Sequence, residues 1–167
     1  DFRQESIADS QHKAIRTALH RLDDAYKTTS SIKTAIKNLD TSIDEAFADG
    51  LVSKAEAKAI EKYINIVNSK KSDIDAQFTA LYANSYLSGT AKTNLNSAKE
   101  ALNTSVSNLL DSIATAITDG AATTAEKADV DSKFTAFNSA ISTYQTRVEQ
   151  AQEAIHAAAA KAYTDGQ

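Results

Sequence analysis

An all-α fold, an elongated antiparallel bundle of about four long helices, follows from three features of the sequence. The 167 residues include no Pro and only four Gly, so little interrupts a helix. Apolar residues recur at alternating steps of three and four, the heptad seam of helices packed lengthwise at a shallow angle. Two stretches, "FADGLVSKAEAKAI" at 47–60 and "ITDGAATTAEKADV" at 117–130, repeat the chemistry of a helix stop followed by a helix start.

The first segment, 5–48, carries a seam through Ile15, Ala18, Leu22, Ala25, Thr29, Ile32, Ile36, Leu39, Ile43 and Ala46. Its weak point is Thr28-Thr29-Ser30-Ser31, which allows either one long helix or a break. Asp49-Gly50 then ends the helix, because Gly past a helix end can take the left-handed conformation that closes the last turn. Ser53, with Glu56 three residues later, makes a capping box that starts a second helix over 53–84. Ile60, Ile64, Val67, Ile74, Phe78 and Leu81 form its seam. Lys71 interrupts that seam. Such a residue can set register, or lay its stem along the seam while its ammonium reaches water; the second is the simpler reading.

A connector of turn formers, Asn84 to Thr90, contains Tyr86 and Leu87, which are expected to fold back over the bundle end. The third segment, 90–119, uses Leu95, Ala98, Leu102, Val106, Leu109, Ile113 and Ile117. Asp119-Gly120 stops it, and Thr123 with Glu126 caps the fourth, 123–164. There the seam runs through Val130, Phe134, Phe137, Ile141, Tyr144, Val148, Ala151, Ile155, Ala158 and Ala162. The inner helices would be ~45 Å long and the outer ones ~60 Å. The outer helices should therefore overhang the inner hairpin.

Between 42–61 and 112–131 the matching positions are Ser42, Ile43, Ala46, Asp49, Gly50, Ala55 and Glu56, identical to the residues seventy positions on. The apolar pattern stays in step afterwards, so 42–83 and 112–153 read as an internal repeat of period 70 within one elongated unit, 1–167. A third Asp-Gly, at Asp165-Gly166, would end the last helix and lead into another. With Asp rather than Met at position 1, the expectation is a piece of a longer array of helical hairpins.

Composition excludes several function classes. Lys and Arg number 18 against 22 Asp and Glu, evenly spread, and no basic patch points to nucleic acid. No apolar run is long enough to insert in a bilayer. Without cysteine there is no thiolate metal site or thiol nucleophile. Glu5, Asp9 and His12 share one helix face, as do His12 and His20, but no motif completes a metal site, so they read as solvated. Asp23-Asp24, Asp40-Asp44-Glu45 and the Asp73/Asp75 pair bring carboxylates close, without signs of a cleft that would tune them for acid–base work. No nucleophile elbow, phosphate loop or calcium loop is present. Asn103-Thr104-Ser105 fits a glycosylation sequon but falls within a helix. Phe47, Tyr63, Phe78, Phe134, Phe137 and Tyr144 belong to the core by spacing, whereas Tyr26, Tyr82 and Tyr163 are less clearly placed. No catalytic residue, metal ligand or cofactor site is expected. The residues singled out are structural turn and cap positions: Asp49, Gly50, Ser53, Glu56, Asp119, Gly120, Thr123, Glu126 and Gly166.

"DG…TTAEKADVDSKFTAFNSAIST" at 119–143 and "NSYLSGTAKTNLNSAKEALN" at 84–103 resemble helical segments of tail-associated structural proteins of bacteriophages and prophages. In those proteins "SDGKxTxAEK"-type turns and "YLSGTAKxNL"-type connectors recur in baseplate, tail-fibre and host-recognition proteins. The resemblance covers roughly 42–167. Ala121, Ala122 and Leu51-Val52 depart from it. It implies a non-catalytic spacer or scaffold in a virion tail, whose partners are other segments of the parent protein and other virion proteins, with dimers or trimers open to it. The alternative is a protein-binding helical module of a bacterial surface adhesin, outside the cell. A continuous exposed apolar stripe on one outer helix would favour it.

Overall fold

The computed structural model describes residues 26–165. Among them are four α-helices: α1 over 26–47, α2 Lys54–Tyr82, α3 Gly89–Ile117 and α4 Thr124–Asp165. They form an all-α bundle running up, down, up and down. Residues 5–25 of the expected first helix lie outside the described part, as do Gly166 and the histidines at 12 and 20. Where described, α1 is continuous through Thr28–Ser31. Thr29 is fully buried there, with its hydroxyl 3.1 Å from the Tyr26 carbonyl. Bonding back to the preceding turn satisfies the hydroxyl inside the helix, so four β-branched or small polar residues need not break it.

The heptad seams make the core. Ile32, Ile36, Leu39 and Ile43 of α1 meet Ile60, Val67 and Ile74 of α2, Leu95, Leu102, Leu109 and Ile113 of α3, and Phe137, Ile141 and Tyr144 of α4. Of α2, α3 and α4, the α3–α4 pair makes the most extensive contact. Tyr63 and Phe78 are only partly buried against this core, and Tyr26, Tyr82 and Tyr163 are exposed. α2 and α3 are each 29 residues, ~44 Å, while α4 is 42 residues, ~63 Å. Along α4 the seam stays buried as far as Ile155; Ala158 is half-buried and Ala162 exposed. α4 is thirteen residues longer than α2 and α3, so its end overhangs the inner hairpin, as expected.

Helix ends shift slightly from the sequence reading. Ser53 precedes α2 as its N-cap, and α2 stops at Tyr82 with Ala83 as C-cap. α3 begins one residue early, at Gly89, where a φ of 64° lets the chain swing from the connector into the helix. In the connector Leu87 is buried over the bundle end, but Tyr86 points outward and is 44% exposed. The tight turn explains the split. Leu87 N donates to the Asn84 carbonyl and Tyr86 N to the Asn84 side chain, so only one of two adjacent side chains can face in.

Candidate functional site

Polar geometry concentrates in three places: the paired Asp-Gly turns at one end, a largely buried polar layer nearer the middle, and a carboxylate cluster at the α1–α4 edge. At the first, Gly50 and Gly120 hold φ values of 77° and 71°. The Asp49 carboxylate accepts from Leu51 N at 3.0 Å, and Asp119 accepts from Ala121 N at 3.1 Å. Ser53 Oγ accepts from Glu56 N at 3.1 Å while Glu56 accepts from Ser53 N at 3.0 Å. Thr123 and Glu126 make the same reciprocal pair at 3.1 and 3.0 Å. Sequence spacing alone could not show that the two turns touch. Val52 N donates to the Gly120 carbonyl at 2.8 Å, and Ala122 N to the Gly50 carbonyl at 2.9 Å. This exchange is a single antiparallel bridge, Leu51 to Ala121. Each turn's backbone is satisfied by the other, an arrangement with near two-fold symmetry along the bundle axis.

The polar layer lies where the core would otherwise be apolar. Lys99 of α3 is 5% exposed. Its ammonium donates to Asp75 Oδ1 of α2 at 2.5 Å and to Asn103 Oδ1 at 2.6 Å, and sits 5.6 Å from the centre of the Phe78 ring. Lys71 approaches both oxygens of Asp75 at 3.4 Å. Burial alone would push the Asp75 carboxyl up, but hydrogen bonding and charge from Lys99, and then Lys71, outweigh it and hold its pKa below the ordinary value. On the far side of the bundle, Thr29 of α1 is hydrogen-bonded to Gln145 of α4. Tyr144 Oη donates to Gln77 Oε1 at 2.8 Å, and burial, then the charge of Asp75, drives the phenol's pKa far up. The phenol therefore stays a neutral donor.

Lys71, the seam residue that drew attention in the sequence, is only half-buried, with its ammonium against Asp75. The deeply buried cation is Lys99. Sequence reasoning passed over it because Leu95, Ala98 and Leu102 already fill a three-four pattern there. The signal that could have found it is the repeat itself, since Lys99 stands seventy residues after the seam residue Thr29.

A third cluster, Asp40, Asp44 and Asp131, brings carboxylate oxygens within 4.8 Å of one another. Lys127 bridges two of them, to Asp44 at 2.7 Å and to Asp131. Burial and then Asp44 raise the pKa of Asp40, with Lys127 opposing. The ion pairs account for this cluster as the polar edge of the α1–α4 contact. Asn103 of the sequon is occupied by Lys99, and Ser105 is buried with its hydroxyl on the Leu102 carbonyl at 2.8 Å. Two surface concavities among the described residues are open depressions, one lined by Lys27, Ser30, Ser31, Thr34 and Lys70 and another by the Lys58–Ser69 face of α2. No helix of the described residues is long and apolar enough to cross a membrane.

Fold and site together define an all-α bundle of two helical hairpins, joined back to back at their turns. Comparison with protein-family models, curated proteins and solved structures finds no match.

Proposed function

We propose that this chain is a non-catalytic helical spacer or scaffold segment, and that its parent is a tail-associated or host-recognition protein of a phage. The observation that carries the mechanical reading is the mutual bridge between the Asp-Gly turns. It ties two antiparallel hairpins at one end, while the heptad seams, interrupted in α2 at Lys71, hold them along their length. Such a rod transmits position between its ends, because bending it requires seam side chains to slide past one another. The phage assignment rests on the turn and connector motifs at 84–103 and 119–143. Among the described residues, exposed large apolar side chains are scattered over α1, the first turn, α2, the connector and α4 rather than aligned on one helix, which favours a spacer over an adhesin face.

Two measurements test this. Small-angle scattering of the chain should give an elongated particle; a near-spherical profile would remove the rod. Antibodies raised against the bundle should label tails of phage particles released from a strain carrying the gene. Labelling of the bacterial surface instead would transfer the chain to the adhesin class.

A further inference from the structure

The two hairpins correspond at an offset of seventy, and the mutual turn bridge places corresponding residues about a near two-fold axis. Under that correspondence Thr29 matches Lys99, and Asp75 matches Gln145. The two cross-hairpin contacts, Thr29 with Gln145 and Lys99 with Asp75, are therefore the same contact made twice with different chemistry. One is a neutral hydroxyl on an amide. The other is an ammonium on a carboxylate.

We propose that this difference is a recognition code that makes α1–α2 pair with α3–α4 and not with a copy of itself. The hairpins resemble each other enough, in seams, turns and caps, for like to pair with like. The 83–88 connector, spanning up to ~20 Å when extended, would let two chains exchange hairpins. Pairing like with like between two chains makes one bundle of two α1–α2 hairpins and one of two α3–α4 hairpins. In the first, Thr29 meets Asp75 on both sides, and two half-exposed carboxylates lose Lys99 and keep Lys71 alone. In the second, Lys99 meets Gln145 on both sides, and two buried ammonium groups keep only neutral partners. A buried ammonium such as that of Lys99 is strongly disfavoured without its counter-charge, so like pairing carries a penalty that native pairing escapes.

Other contacts follow the same rule. The Lys127–Asp44 ion pair joins α4 to α1; at the corresponding positions stand Ala57 and Ala114, so like pairing has no ion pair there. Tyr144 donates to Gln77, and in a bundle of two α3–α4 hairpins Arg147, which has no acceptor, would replace that glutamine. This inference stands on the cross-hairpin geometry and holds whatever the parent protein is.

The test uses the whole chain, which lacks cysteine, with Lys62→Cys on the exposed face of α2 labelled separately with donor and acceptor dyes. The two populations are unfolded in urea, mixed and refolded at high concentration. Energy transfer then reports pairing between chains. Asp75→Gln with Lys99→Thr makes both contacts neutral; Thr29→Lys with Gln145→Asp makes both charged. Each keeps the native pairing satisfied but erases the code, and each should raise transfer several-fold over the parent. All four substitutions together exchange the two contacts, restore the code and should return transfer to the parent level. Transfer in the symmetrised variants no higher than in the parent would overturn the proposal. So would a four-fold exchange that transfers as strongly as they do, or a loss of cooperative folding in both symmetrised variants.

Discussion

The two hairpins share their turns almost atom for atom and differ most in their seams. Corresponding glycines have φ values within a few degrees, and corresponding caps have matching bond lengths. In the seam, however, Val67 of α2 corresponds to Phe137 of α4, Ile74 to Tyr144, and half-buried Lys71 to fully buried Ile141. A turn admits few solutions, because its backbone must reverse and satisfy specific N–H and carbonyl groups. A seam admits many, because burial asks only for complementary volume. Among the described residues, the second hairpin thus carries the larger share of buried aromatic surface.

The largest effect should separate the seams. Phe137→Ala, at a fully buried position, is expected to cost about 3–5 kcal/mol through lost burial and a residual cavity. Val67→Ala, at the corresponding buried position, should cost about 2 kcal/mol. Urea titration of both variants measures the difference. Equal losses would mean that α4 is no more a centre of packing than α2.

The polar layer comes next. Asp75→Ala leaves the buried Lys99 ammonium with Asn103 and the Phe78 ring, and should cost about 2 kcal/mol. Lys99→Leu should cost less, because the remaining Asp75 carboxylate is nearly half exposed and can be hydrated. The pH dependence has a definite sign. Asp75 has a folded pKa below its ordinary value of 3.8, so its contribution is present above that value and is lost as pH falls through the lower folded one. Acid titration of stability should therefore show a shallower loss in Asp75→Asn than in the parent; an unchanged profile would discount the ion pair.

Much of this was legible in the sequence. The helices, seams and caps were readable because each rests on local chemistry: Gly at a left-handed position, Ser or Thr three residues before Glu, apolar steps of three and four. What escaped was contact between elements distant in the chain. The bridge from Val52 to Gly120 and from Ala122 to Gly50 needs two turns brought together, and a period in the sequence says nothing of whether repeats meet. Lys99 escaped for a related reason. Its burial depends on Asp75 arriving from another helix, and without that partner a lysine beside a seam reads as surface. Tyr86 and Leu87 show the limit within a loop, where composition marked both as apolar and only the hydrogen bonds of Asn84 decide which turns inward.

Where the hairpins agree, substitutions should cost the same in both. Gly50→Ala and Gly120→Ala each place a side chain at positive φ, a penalty of about 1–2 kcal/mol. A Cβ at Gly50 would lie 3.9 Å from the Ala122 carbonyl oxygen, and one at Gly120 would lie 3.6 Å from that of Val52, so neither position adds a clash. Matching losses in urea titrations would show that conformation alone demands glycine; a clearly larger loss at one would show that the turns bear unequal load.

The smallest effect bears on whether the turns act together. Ser53→Ala and Thr123→Ala each remove one half of a capping box and should each cost about 1 kcal/mol. Ser53 follows Val52, whose N–H bonds Gly120; Thr123 follows Ala122, whose N–H bonds Gly50. Fraying at either helix start therefore loosens a bond that the other turn depends on. Once the first cap is gone, part of the bridge is already weakened, so the second removal has less left to disrupt. The double variant should then lose less than the sum of the single losses, by more than the roughly 0.3–0.5 kcal/mol within which independent sites add. Additive losses would mean that the bridge aligns the two hairpins without coupling their stability.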